Sequence, residues 1–145
     1  MQKPPVIYQI IHSWNIDDIV DLYRYAGWWK DTYDPAEIPS LIKGSFIFAV
    51  GVDSDCGKAV AMGRILSDRV KVGYIQDLCV LPDMRGHHIG SGLLQFLIQS
   101  AKNCGLSSIH LIAEPDTSSF YEKSGFRSEK GMIFFNLTSG GMNEN

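Results

Sequence analysis

Between residues 72 and 101 the chain changes period, and this change constrains the fold more than any other feature of the sequence. Val72 to Leu81 is a β-rich apolar run of strand length, stopped by Pro82-Asp83. From there the apolar positions are Ile89, Leu93, Phe96, Leu97 and Ala101, one face of a helix that Cys104-Gly105 ends. Ser108 to Ala113 returns to strand and is apolar on both faces, as expected of an interior strand. A strand, a helix and a strand in succession make a crossover.

The stretch before it reads differently. Residues 6–12 predict a strand, and Asn15 followed by Asp18 opens a helix carried by Ile16, Ile19, Val20, Leu22 and Tyr23. Asp34-Pro35-Ala36-Glu37 opens a second short helix, with Asp as cap, Pro first and Glu three after the cap. Residues 45–52 and 59–66 predict a hairpin around the turn Asp53-Ser54-Asp55-Cys56-Gly57, and Ser67-Asp68 turns the chain into the run from Val72. Thr117 to Lys123 predicts a last short helix, and residues 126–136 a final strand or two. The tail from Thr138, with Gly140-Gly141, is expected to be mobile. Hairpins followed by a crossover predict an α+β fold: a mixed, mostly antiparallel sheet of six to seven strands flanked by about four helices, in one domain over residues 1–145.

Composition narrows the function. A net charge of −3 and a pI of about 5.7 argue against a nucleic-acid module, which shows a basic stripe. They leave a phosphate ligand open, because backbone amides bind anions without net positive charge. No stretch approaches the length of a membrane span, and the opening, with Pro4-Pro5 and a short apolar run, does not read as a signal peptide. Three cysteines, Cys56, Cys79 and Cys104, are an odd number without paired spacing, which predicts a reduced, cytoplasmic setting.

Strand and helix are joined by Arg85-Gly86-His87-His88-Ile89-Gly90-Ser91. The first turn of a helix carries amides without intrahelical partners, and its dipole favours an anion. Glycines let the backbone approach such an anion, and Arg85 adds a pairing charge. A plain loop with glycines for turning is the alternative.

Residues 85–90, following Tyr74 to Pro82, resemble the cofactor-binding segment of the GNAT superfamily of N-acyltransferases, whose pattern is Arg or Gln, two residues, Gly, any residue, then Gly or Ala. Phe120-Tyr121-Glu122-Lys123-Ser124-Gly125-Phe126 resembles the family's Tyr-Glu-Lys-x-Gly-Phe segment, and the two motifs stand in the family's order. His88 replaces the middle glycine, so a positive φ there would strain it, whereas a helical angle would not.

The resemblance implies acetyl transfer from acetyl-CoA to an amine, by direct attack in a ternary complex. It implies that Arg85, Gly86, His87, His88, Gly90 and Ser91 hold the pyrophosphate, and that Leu78, Cys79 and Val80 offer backbone groups to the pantetheine arm. It assigns Tyr121 to protonating the departing thiolate, a role suited to a phenol of pKa about 10; core packing with Phe120 and Phe126 is the competing role. Asp77, a carboxylate in an apolar strand, stands where some relatives carry the base, and the alternative is a structural carboxylate bonded to a loop amide or to Arg64. Glu114, in a segment Glu114-Pro115-Asp116-Thr117 that departs from the family's Asn-x-x-Ala, is a second base candidate. Cys79 reads as a buried structural thiol, and no metal is expected, since His87 and His88 lack further ligands and His12 and His110 stand alone.

The acceptor side is expected to lie around Tyr23, Tyr25, Trp28, Trp29 and Tyr33 with Asp31 and Asp34, which suits a small-molecule amine with an apolar body. A peptide amine and rings that merely cover the sheet stay open. A homodimer is common in the family; nucleic-acid and membrane partners are not expected. Two other classes compete, a non-catalytic acyl-CoA sensor and a dinucleotide-binding module, although the latter's turn follows the first strand of a parallel sheet.

Overall fold

The structure, a computed structural model, describes residues 5–138. Its sheet has five strands in the order β1 (Val6–Ile10), β2 (Ile47–Asp53), β3 (Lys58–Ser67), β4 (Val72–Val80) and β5 (Ser108–Leu111). The first four run antiparallel in sequence order, and β5 joins β4 in parallel after the crossover. Four helices accompany them: α1 (Ile16–Tyr25), α2 (Ile38–Gly44), α3 (Ile89–Asn103) and α4 (Ser118–Glu122). The mixed, mostly antiparallel α+β architecture expected from the sequence is therefore present.

Side-chain alternation sorts the core into two layers. Phe48, Val50 and Val52 of β2 pack beneath α1 and α2 with Ile19, Leu22 and Ile42. Ile47 and Ala49 of the same strand face the other way, onto Leu93, Leu94 and Leu97 of α3. β2 is thus buried on both faces, which explains its unbroken apolar run. Helix starts follow the predicted caps: Asn15 Oδ1 accepts from Asp18 N at 3.0 Å, and Asp34 Oδ1 from Ala36 N at 2.9 Å. The latter opens a single 3-10 turn that feeds α2.

Two expectations need correction. The sheet has five strands among the described residues, not six to seven, because residues 126–136 form none. Met132, Ile133, Phe134, Phe135 and Leu137 instead stand 65–87% exposed. Their composition favours extended chain, but a strand exists only where a paired edge accepts it. Nor is β5 an interior strand: it stands at the edge of the sheet, four residues long. Ile109 and Leu111 pack on the α3 side while His110 points to solvent, so only one face is apolar. The tail expected to be mobile lies, past Thr138, outside the described residues. No helix among the described residues is long and apolar enough to cross a membrane.

Candidate active site

The site begins with an irregularity in β4. Arg64 pairs with Gln76 and Met62 with Cys79, so two residues, Asp77 and Leu78, face the single Gly63. This is a β-bulge, and Asp77 takes the left-handed conformation at φ 60° that aspartate tolerates better than most residues. Gly63 leaves room opposite it for two leucines, since a Cβ there would meet Leu97 Cδ1 at 2.8 Å and Leu78 Cδ1 at 3.0 Å and push those side chains aside.

Past the bulge β4 loses its outer neighbour. β5 follows it only from Val72↔Ser108 to Ile75↔Leu111, which leaves the outer edge of residues 76–80 without a strand partner among the described residues. Leu81 N donates to Val60 O at 2.9 Å, on the β3 side. Alternation along an antiparallel strand then turns the backbone groups of Val80 outward. Arg85 Nε reaches back to Val80 O at 3.3 Å.

The turn follows directly. A 3-10 turn at Pro82–Met84 leads to Arg85, then Gly86 at φ 83°, then His88 at φ 62° and ψ 20°. His88 therefore does sit in the left-handed region, at a strain of about 1 kcal/mol. It places no side-chain cap on α3, and Gly92 N is the first helix amide to bond back, to His88 O at 3.0 Å. The amides before it at Ile89, Gly90 and Ser91 are those an anion can use. Val80 and Phe120 flank Gly90, 3.5 Å from where a Cβ would stand. The helix start is fixed from β1, where the Tyr8 hydroxyl donates to Ile89 O at 3.0 Å.

A cleft of ≈ 280 Å³ opens beside the unpaired edge, lined among others by Trp28, Asp77, Leu78, Glu114, Tyr121 and Phe134. The Tyr121 ring makes edge contacts with Phe120 at 5.0 Å and Phe126 at 6.1 Å. Burial, and then the Glu114 carboxylate, push its phenol above the ordinary value, so it stays protonated through neutral pH. The Cys79 thiol lies 3.7 Å from Leu22 O, and burial pushes it up to about 12, so it is no nucleophile at neutral pH.

Asp77 is held from two sides. Its Oδ2 accepts from Tyr23 Oη at 2.6 Å and from Arg64 Nε at 2.7 Å. Arg64 in turn reaches Gln76 Oε1 at 3.2 Å and Ser45 Oγ at 3.4 Å. Burial first, then the Asp77 charge, push the Tyr23 phenol far above its usual range, so it keeps the proton that it donates to Asp77. Sequence reasoning named Arg64 as one partner and missed Tyr23, placing it with the acceptor aromatics; a contact spanning 54 residues leaves no local pattern to read.

On the far side of Asp77 lies a second cavity of ≈ 740 Å³, lined in part by Tyr23, Trp28, Trp29, Tyr33, Asp34 and Glu37. Trp29 stands 6.4 Å from Tyr23 and 5.5 Å, edge-on, from Tyr33. Tyr25, also expected here, is 61% exposed and does not line it, nor does Asp31. Trp28 and Asp77 belong to both cavities. Among the described residues no group of three or more His, Cys, Asp or Glu side chains can hold a metal ion.

The model of the acetyltransferase (GNAT) family matches residues 9–126, a span that holds the bulge in β4, the turn before α3 and Tyr121. The chain belongs to the GNAT family. It is 32% identical over 126 residues to the uncharacterized N-acetyltransferase ycf52 of Pyropia yezoensis, covering 83% of this chain and 72% of that one. It is 31% identical over 86 residues to a chloroplastic serotonin N-acetyltransferase 2 of Oryza sativa subsp. japonica, covering 57% of this chain and 43% of that one. A predicted acetyltransferase of Clostridium acetobutylicum, solved with acetyl-CoA, shares the fold at a TM-score of 0.67 and 20% identity, over 91% of this chain and 96% of that one.

Within this GNAT domain the expected residues divide into three groups. Leu78, Cys79 and Val80 lie along the unpaired stretch of β4, and Arg85, Gly86, His87, His88, Gly90 and Ser91 form the turn and the start of α3. Tyr121, Asp77 and Glu114 share one cleft.

Proposed function

We propose that this GNAT protein transfers an acetyl group from acetyl-CoA to a primary amine, by direct attack in a ternary complex. One observation carries the reading: the open edge of β4 runs straight into the uncapped start of α3, with the Tyr121 phenol in the adjoining cleft. An elongated ligand with an anionic end fits that path, its phosphates against the amides of residues 89–91 and its arm against the outward groups of Val80. Arg85 would leave Val80 O for a phosphate.

Bound acetyl-CoA supplies the activated thioester carbonyl and a thiolate leaving group. The chain's residues do the rest. Tyr121, kept protonated by burial, gives its proton to the departing sulfur. Glu114 shares the cleft of Tyr121, and its side chain makes no hydrogen bond or ion pair among the described residues, which supports it as the base that takes the amine's proton through water. Asp77 already carries two donors on Oδ2. Cys79, un-ionised at neutral pH, supports direct transfer over an acyl-cysteine.

The second cavity suits the acceptor. Its aromatic walls and the exposed Asp34 and Glu37 favour a cationic amine on an apolar or aromatic body. The rice relative is named for such an amine, serotonin. Cys56, Cys79 and Cys104 stand free, which suits a reducing compartment such as the cytoplasm.

Calorimetric titration with coenzyme A and with NAD, followed by a transfer screen over aryl amines, polyamines and peptides, tests the reading. Coenzyme A binding with turnover on an amine is expected. Binding without turnover on any amine would make the chain a sensor, and preference for NAD would overturn the assignment.

A further inference from the structure

The feature least explained by acetyl transfer itself is the three-residue junction at the bulge. A non-glycine residue at φ 60° inside a strand is an uncommon placement, and this one is tied by its carboxylate to a helix and to the neighbouring strand. Tyr23 comes from α1, Arg64 from β3 and Asp77 from β4. All three line the aromatic cavity, and Asp77 also lines the cleft of Tyr121.

We infer that Tyr23 and Arg64 are positioning residues that act through Asp77, and that the Tyr23–Asp77–Arg64 junction holds β4 bulged and so keeps its outer edge open for the donor. The inference rests on the proposed donor site. Regular pairing would put one residue, not two, opposite Gly63; the following strand would then shift and reverse its facing. Leu78, Cys79 and Val80 would no longer present the same groups outward. Only a side chain that accepts two donors at once, on a residue tolerant of positive φ, keeps the bulge; aspartate does both, and asparagine does so without the charge. Because Tyr23 also packs against Trp28 and Trp29, with ring centroids 6.4 Å away in each case, the acceptor cavity and the donor edge share one support.

Cys79 offers a readout that needs no ligand. Its thiol is half-buried against Leu22 O, next to Tyr23, so release of the junction exposes it further. In a background with Cys56→Ser and Cys104→Ser, thiol-reagent labelling of Cys79 reports the bulge, and calorimetry with coenzyme A reports the donor edge. Tyr23→Phe removes one hydroxyl and is expected to speed labelling about tenfold and weaken coenzyme A about fivefold. Asp77→Ala is expected to do more in both assays, about tenfold beyond Asp77→Asn, which keeps two acceptor sites. The pH–rate profile of Asp77→Asn is expected to keep its acidic limb. Unchanged labelling in Tyr23→Phe and Asp77→Ala would overturn the inference whether or not coenzyme A binds. Loss of the acidic limb in Asp77→Asn, at unaltered labelling, would make Asp77 the base instead. Failure of the parent protein to bind coenzyme A, with labelling as expected, would sink the donor assignment and the link to it while leaving the junction standing. Far-UV circular dichroism on each variant separates release of the bulge from unfolding.

Discussion

The two cavities that meet at Asp77 differ in how their walls are made. The cleft of Tyr121 is lined by β4, the end of β5, Trp28, Glu114, Tyr121 and Phe134, and it adjoins the strand edge whose backbone groups have no strand partner among the described residues. The aromatic cavity is built from rings and carboxylates on α1, α2 and the segment between them. Backbone recognition tolerates sequence change and suits one constant ligand; side-chain recognition changes with each substitution and suits a variable one. The division is the one expected of the proposed function, with the acyl donor on one side and the acceptor on the other.

The strongest challenge to this division is Tyr121→Phe. It should lower kcat about 100-fold while leaving coenzyme A affinity within about twofold, because only proton donation is lost. Full turnover would return Tyr121 to a packing role. Tyr33→Ala, which removes an aromatic wall packed on Trp29, should raise the acceptor KM about tenfold without changing coenzyme A affinity. A parallel loss of coenzyme A binding would mean the cavities do not divide the substrates.

Smaller effects sharpen the picture. His88→Gly removes the left-handed strain but loosens the unfolded chain, for a net gain of about 0.5 kcal/mol in denaturant unfolding. A loss instead would show that the imidazole makes contacts of its own. The Cys79 thiol, raised by burial from its ordinary 9.0 to about 12, favours the folded state fully below about pH 9. As pH rises toward 12 the unfolded chain releases that proton more readily, so this contribution is lost. Unfolding midpoints at about pH 8 and pH 10 should therefore fall less steeply in Cys79→Ala than in the parent. Equal slopes would place the thiol in water.

The sequence made some of these features plain and hid others. The crossover was readable because α3 and β4 have different periods and a proline between them. Both predicted caps formed because Asn15 and Asp34 act on amides two or three residues away. The strain at His88 was legible as a question, since a motif glycine was missing, but only the backbone angle could answer it. Asp77 stood out as a carboxylate in an apolar run, yet its bulge faces Gly63 and is tied to Tyr23, far off in the chain. The missing strands failed for the same reason: Met132 to Leu137 has strand composition, and pairing is a property of the partner edge. Local signals were readable; those that close over long loops were not.

One of those long loops sets an order of events. Tyr8 and Ile89 are 81 residues apart, yet the hydroxyl of one holds the carbonyl of the other. Gly92 leaves no room for a methyl group, because a Cβ would meet Tyr8 Cζ at 2.7 Å. The start of α3 therefore reaches its final place only when the earliest-made strand has docked beside it. During synthesis β1 must wait for Ile89, 81 positions beyond Tyr8, to emerge, so the turn at residues 85–91 gains this contact only at the entropic cost of closing a long loop.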